Sequence, residues 1–534
     1  MASTRPLCVV CLAAILLAGC VTGPSFIQSR SRQVIDRALV DYPGGMALEV
    51  VVDRLTAPQD CELDEQGNLI VATSGAGGHD PTIIGYRPDN TSFTIYPPPR
   101  TVRVPFDLVL TGFRVYGPIG GIALANGKVY VTHRDSHGLG IVTAFNYDGT
   151  HSSVAANLPC QGDNGMSDVT VGPTGRLWFG VGSATNSGVV GLDNWGWIKK
   201  YPGFSDRSFV DLKLNGYHFK SKNPDNGIFS GPDIAVTAPY QPFNVSVQTR
   251  IRHSDLPTGS IYSADPSGGG LRVEAHGVHA PHGLAFAEYP TLYMTNGGME
   301  LRGTRPIKDD PDALLKVVPG TWYGFPDYST DLQPITEKQF QPPPEMAIKS
   351  GYDEVSFLID HNASNNGQGL LQPLRSTLLQ STFPSLSGAA NFDFVPGDGP
   401  LKEFRGHAIV PLSGDRAPFA TSGRKLVDRS GFKIVRVDMV SREVVDLIRN
   451  TKRKPASMLP EGEGLLERPI AVKFAPDGSL YIVDFGRCDV KDGRVKVKPN
   501  SGRILHLRPL KAATPSTTRP ATAPAIAPVP APAE

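Results

Sequence analysis

One pattern recurs along the chain and limits what it can fold into: a turn, an apolar strand, a second turn built on glycine, and another apolar strand. PQDCELDEQGNLIVA begins at Pro58, GPIGGIALANGKVYVTH at Gly117, MSDVTVGPTGRLWFGVG at Met166, APHGLAFAEYPTLYMTN at Ala280 and ERPIAVKFAPDGSLYIVDFG at Glu467. These are five copies of one hairpin. In the third copy Val169, Val171, Leu177, Phe179 and Val181 fall at alternate positions, so each strand has one face for packing. Asn126 with Gly127, and Asp477 with Gly478, supply the positive φ of a tight hairpin turn. More strand-like text follows most copies, as in GSIYSADPSGGGLRVEAHG and GFKIVRVDMVSREVVDLI, so each unit reads as a four-stranded antiparallel sheet.

The turn glycines Gly67, Gly127 and Gly175 lie 60 and 48 residues apart, a spacing that suits blades joined by moderate loops. The expected fold is therefore all-β, a six-bladed β-propeller of four-stranded antiparallel blades over residues 46–510, with seven blades as the alternative. NFDFVPGDGPLKEFRGHAIVPL, from Asn391, supplies the sixth unit. The intervals 188–257 and 327–387 are polar and rich in Pro and Asn, and read as long loop insertions on the propeller. A second small domain is the alternative for them. The 57 glycines and 48 prolines, about a fifth of 534 residues, argue against a helical bundle in the same direction. With 52 basic against 51 acidic residues the chain has no long-range field toward phosphate backbones, and nucleic acid is excluded as the expected partner.

The ends differ from the body. Residues 1–19 read as a secretory signal: Arg5, a short apolar run, then small residues. Leu17, Ala18, Gly19 and Cys20 resemble the lipobox of bacterial lipoproteins, in which the cysteine becomes the acylated first residue of the mature chain. Lipidation at Cys20 predicts a membrane anchor, and Val21 after it fits a cell-envelope lipoprotein of the outer membrane that faces the periplasm. Residues 20–45 are then a tether. Cys8 and Cys11 leave with the signal, so Cys61, Cys160 and Cys488 remain and at most one disulfide can form among them. Residues 511–534, rich in Pro, Ala and Thr with no apolar period, are expected to be a disordered tail.

Three longer stretches stand out: GDNGMSDVTVGPTGRLWFGVGSATNSGVVG, then NGGMELRGTRPIKDDPDALLKVVPGTWYGFPDYS with its Trp-Tyr-Gly-Phe-Pro corner, and last GFKIVRVDM with ERPIAVKFAPDGSLYIVDFG and SGRILHL. They resemble the quinoprotein glucose and sorbosone dehydrogenases, propellers that oxidise sugars with pyrroloquinoline quinone. The resemblance covers about residues 45–510 and implies oxidation of an aldose or related polyol, with the quinone as cofactor. It also implies a His ahead of the third hairpin as the proton acceptor. That place, eight residues before Gly172, holds Asn164, whose amide is no general base near neutral pH. The family's Arg-Asn pair before the fourth hairpin aligns with His279 and Ala280.

Propeller ligands gather where inner-strand ends meet the central channel, which selects the residues just before and after each hairpin. His279, in AHGVHAPHGLAF, titrates near working pH and is the candidate base, with Asp163 and Asn164 as further catalytic positions. Arg302 and Arg305, together with Arg416, His282 and Arg468, are candidates to hold an anionic cofactor or an acidic sugar by guanidinium forks. Asp60 and Asp168 are candidates for a calcium ion. Three functions remain open from these residues: a sugar dehydrogenase, a non-catalytic propeller that binds carbohydrate or protein, and a metal-dependent lactonase or lyase.

Overall fold

The computed structural model describes residues 25–26, 32–97, 113–224, 234–288, 290–363, 370–415, 430–460, 462, 465–491 and 494–510. Cys20, Arg416, the signal and the C-terminal tail lie outside them.

Six sheets of four or five strands follow one another as blades of a six-bladed β-propeller. Blade 1 is Pro58–Leu63, Leu69–Thr73, Thr82–Tyr86 and Ser92–Tyr96, from the axis outward. Blade 2 is Ile122–Ala125, Lys128–Arg134, Gly140–Phe145 and His151–Leu158. Blade 3 begins with Met166–Val171 and Leu177–Val181, crosses the first insertion, and resumes at Ser260–Ala264 and Arg272–His276. Blade 4 is Ala280–Phe286, Leu292–Gly297, Asp312–Lys316 and Leu379–Phe383. Blade 5 is Asp393–Phe394, Ala408–Leu412, Lys433–Val437 and Val444–Asn450. Blade 6 takes Pro469–Phe474, Leu480–Asp484 and Gly502–Pro509 from the end of the chain, and Met46–Leu55 from its beginning. That pairing closes the ring, so the sheet edge left by the last strand is covered by the first.

The alternation seen in the hairpins explains the core. Each blade presents one face to the blade before it and the other to the blade after. Leu505, Ile482 and Val472 of blade 6 pack on Ile409, Ile434 and Ile448 of blade 5, while their neighbours Ile504, Val483 and Ala471 pack on Cys61, Leu69 and Val71 of blade 1. The same division recurs between every pair of consecutive blades. The inner strands touch around a closed circle, so every one of them lines a single axial tunnel.

Several expected boundaries look different in three dimensions. Residues 32–45, expected as tether, lie on the propeller: Val40–Asp41 adds to the outer edge of blade 5, and Val40 and Tyr42 are buried. The five-residue strand Leu379–Phe383, inside the second expected insertion, is the outer strand of blade 4. The two insertions pack on each other over blades 3 and 4, with Leu212 and Leu214 of the first against Tyr328, Ile359 and Leu370 of the second. Cys61, Cys160 and Cys488 are buried free thiols on or beside different blades. No helix among the described residues is long and apolar enough to cross a membrane.

Candidate functional site

The blade 3 to blade 4 side of the tunnel mouth gathers the densest set of predicted residues. Asp163 and Asn164 precede the inner strand of blade 3, and His279 precedes that of blade 4. The Ser183 N–H donates to the His279 carbonyl at 2.7 Å and so clasps the two blades at this level. His279 is 4% exposed and its ring stacks on Phe325 at 5.4 Å. Its Nδ1 lies 2.7 Å from the carbonyl of Gly297, which can only accept, so Nδ1 carries the proton. The lone pair is thereby left on Nε2, 3.3 Å from the Asn164 amide nitrogen, which also donates to Ser183 Oγ at 3.0 Å. Burial lowers the His279 pKa below the usual 6.5, and the ring is neutral at working pH.

Beside this pair lies a buried ion cluster. Arg302 Nη1 donates to Asp163 Oδ2 and to Asp193 Oδ2, each at 2.7 Å, and its Nε donates to Glu300. Asp163 also accepts from Asn194 Nδ2 at 2.9 Å. Burial works against the guanidinium charge, and the carboxylates of Asp163, Glu300 and Asp193 more than offset it, so the Arg302 pKa rises. Three carboxylates to one guanidinium leave an excess of negative charge. Burial pushes Asp193 up to about 6 against the pull of Arg302, with Asp163 adding to the push. Asp206, which accepts from the Ala184 N–H and from Thr185 and Thr258, is likewise raised to about 6 by burial.

Asp60 and Asp168 lie deeper, in the tunnel shaft. Asp60 accepts the N–H groups of Cys61 and, across to blade 2, of Ile122, both at 2.9 Å. Asp168 accepts the Val169 N–H at 2.7 Å and lies close enough to Asp60 for the two carboxyls to influence each other's ionisation. Burial, and next to it the charge of Asp60, raises the Asp168 carboxyl well above the usual range. Lys473 of blade 6 reaches into the same shaft, with Nζ 2.7 Å from Glu62 Oε1. Asp393 accepts the Phe394 and Phe474 N–H groups at 2.8 and 3.0 Å. Although enclosed by the ring, Lys473 and Glu62 keep 35% and 13% of their side chains open, because they face the bore. Burial raises Asp60 to about 6 and Glu62 to about 7, with Lys473 opposing both. The oxygens of Asp60 are thus taken by backbone N–H groups, and the cation of the shaft is an ammonium. Among the described residues no group of three His, Cys, Asp or Glu side chains is placed to hold a metal ion.

Of the remaining predicted residues, Arg305 and Arg468 are apart from the His279 cluster and His282 adjoins it through Gly297. Arg305 is fully buried and donates to the carbonyls of Ser187, Pro326 and Ser356, with Asp327 at 3.5 Å, so its guanidinium ties the second insertion to the first. His282 is half-buried on the inner strand of blade 4, close over Gly297. Arg468 stands at the blade 5 to blade 6 side of the mouth. Its Nη1 donates to the carbonyls of Ser413 and Gly414 at 3.1 and 2.9 Å, and its guanidinium lies over Phe432. Among the described residues no carboxylate is within ion-pairing reach of Arg468, and its buried Nε has no hydrogen-bond partner. Sequence reasoning missed Asp193, Asn194, Glu62, Asp393 and Lys473. Glu62 follows Asp60 by two and so shares its tunnel-facing side, a signal the strand period carried. Asp193 and Asn194 come from an insertion, where no period marks a facing side chain.

No family model and no curated protein sequence matches the chain. Its structure is similar, at low identity, to several solved propellers. The holo form of the pyranose dehydrogenase PQQ domain from Coprinopsis cinerea is 13% identical, covering 89% of this chain and 98% of that one with a TM-score of 0.46. The PQQ-bound aldose sugar dehydrogenase from Streptomyces coelicolor is 14% identical, covering 88% and 99% with a TM-score of 0.43. A calcium structure of Carbohydrate-Active Enzymes Family AA12 from Trichoderma reesei is 14% identical, covering 90% and 98% with a TM-score of 0.48.

Proposed function

We propose that this chain is a sugar-directed oxidoreductase of the quinoprotein type, oxidising an aldose or related polyol at a C–H bond beside a hydroxyl, with His279 as proton acceptor. The observation that carries the reading is the fixed tautomer of His279. Gly297 holds the proton on Nδ1, so a lone pair waits on Nε2 at the tunnel mouth, restrained among the described residues by a 3.3 Å contact to Asn164. A sugar hydroxyl that displaces that amide would meet a neutral imidazole, a base suited to neutral pH. As the hydroxyl proton passes to Nε2, the hydride on the same carbon departs and the carbon becomes a carbonyl, or a lactone from a cyclic aldose. Pyrroloquinoline quinone, when bound, supplies the two-electron acceptor for that hydride.

The donor set fits one carboxylate of such an acidic quinone at Arg468, a buried guanidinium with an orphaned Nε and no carboxylate within reach among the described residues. Arg302 does not fit that role, because three carboxylates already surround it; its task is to hold Asp163 beside Asn164. Arg305 acts on the insertions. The Asp60 and Asp168 pair does not fit calcium, since backbone N–H groups already engage both oxygens of Asp60 and one of Asp168. On the same proposal Cys20 is acylated and the enzyme works at the cell envelope; Cys20→Ser should release it from the membrane fraction.

The test is reconstitution of purified protein with pyrroloquinoline quinone and calcium, followed by dye reduction with a panel of aldoses and polyols. Sugar-dependent reduction that needs the quinone is expected. Absence of reduction with every sugar, in protein that takes up the quinone, overturns the reading. A binding-only sugar propeller is the second reading, favoured by the amide of Asn164 at the place where the resemblance calls for a His.

A further inference from the structure

Two adjoining cavities lie beside the first insertion, outside the His279 and Arg302 cluster, and share Arg207 and Thr258 as a common wall. Their unfilled space, open mouths included, is about 310 and 240 Å³. The larger is walled by aromatic rings, Phe209, Trp322 and Phe325, with His276 and Ser208 as polar groups. Arg207 is exposed, and among the described residues its guanidinium has neither an ion pair nor a hydrogen bond, unlike Arg302 and Arg305 nearby. The His276 ring is 5% exposed, makes no hydrogen bond with the described residues and touches Phe209 at 5.1 Å. Burial lowers its pKa to about 4, which keeps it neutral and able both to donate and to accept.

An unpaired guanidinium at the rim, a neutral imidazole within and aromatic walls form a donor set for one kind of small molecule. Aromatic faces take the C–H side of a sugar ring, the imidazole takes hydroxyls, and a guanidinium fork takes a carboxylate. We propose that this cap pocket is a second saccharide site, specific for a sugar unit that carries a carboxylate, with Arg207 as its anion clamp and His276 as its hydroxyl partner. As it stands the enclosed space takes roughly one water, so an outward swing of Phe209 to admit the sugar is part of the proposal. Phe209 is 37% exposed and sits at the pocket rim. Because Phe325 lines this pocket and also stacks on His279, an occupied cap pocket adjoins the candidate base through one shared ring. The inference stands whether or not the chain takes a quinone.

Calorimetric titration of the full chain, without quinone, with glucuronate, glucose and acetate tests it. Saturable binding of glucuronate is expected, at least tenfold tighter than that of glucose or acetate. Arg207→Gln and His276→Phe, the second filling the cavity, should each weaken glucuronate tenfold or more while the melting temperature stays within a few degrees of wild type. Dye reduction on a neutral aldose by the reconstituted Arg207→Gln protein should match wild type, which separates this site from the tunnel mouth. No saturable glucuronate binding, acetate binding as tightly, or unchanged affinity in both variants overturns the proposal.

Discussion

The tunnel mouth and the tunnel shaft each hold a surplus of carboxylates around one cation, and they resolve it in opposite ways. In the shaft, Asp60, Asp168 and Asp393 accept backbone N–H groups of their own strands, and Asp60 and Asp393 also reach the neighbouring blade. Those donors cannot move without unpairing strands, so the shaft carboxylates weld blades 1 to 2 and 5 to 6. At the mouth, Asp163, Asp193 and Glu300 are held by the side chains of Arg302 and Asn194. Side-chain donors can be exchanged for a ligand at the cost of a rotamer change. The lesson is that the type of donor, more than burial or charge count, separates an architectural carboxylate from one available to chemistry.

The comparison can be broken at either end. The largest effect is expected at His279: His279→Gln keeps a hydrogen-bonding group but no base, and kcat should fall about 10² to 10⁴-fold with stability little changed. A loss under tenfold in dye reduction would remove His279 as proton acceptor. Arg302→Met strands three buried carboxylates, and denaturant unfolding should show a loss of about 3–5 kcal/mol. Asp60→Asn probes the shaft through pH. Asp60 is raised in the folded state to about 6, so its protonation stabilises the fold at low pH, and this contribution disappears as pH rises through about 6. Wild type should therefore lose about 2 kcal/mol relative to Asp60→Asn between pH 4 and 7, read from urea melts at each pH. The buried histidines His133, His276 and His506, each lowered to about 4, act in the opposite sense and cancel in this difference. The smallest effect belongs to Asn164→Ala, which frees the lone pair of His279; kcat should change by less than about tenfold, with a larger change in KM, if the amide only holds the ring until substrate arrives.

Much of this was legible before any coordinates. The hairpin pattern located the inner pair of five blades, strand content alone pointed to the sixth, and the rule that hairpin ends meet the channel brought out Asp163, Asn164 and His279 together. Asp60 was found by the same hairpin-end rule, and because period two reports the face of a strand residue, Glu62 two positions on could have been found from it. The ring closure by Met46–Leu55 was not legible, since a strand at the start of the chain gives no sign that its partner is Gly502–Pro509. Asp193 and the partners of Arg305 were also hidden, because insertions fold by contacts with each other and have no repeat to align. Arg302 and Arg305 are three residues apart on one loop, yet one serves the mouth cluster and the other the insertion joint. Spacing alone could not divide them.

The most direct measurement is an anaerobic single turnover. Purified protein loaded with pyrroloquinoline quinone is mixed with an aldose, and the quinone absorbance is followed in wild type and in His279→Gln. The account predicts rapid, sugar-dependent bleaching in wild type and binding without bleaching in the variant. Equal bleaching rates in the two proteins, or a wild type that binds the quinone and is never reduced, would contradict it.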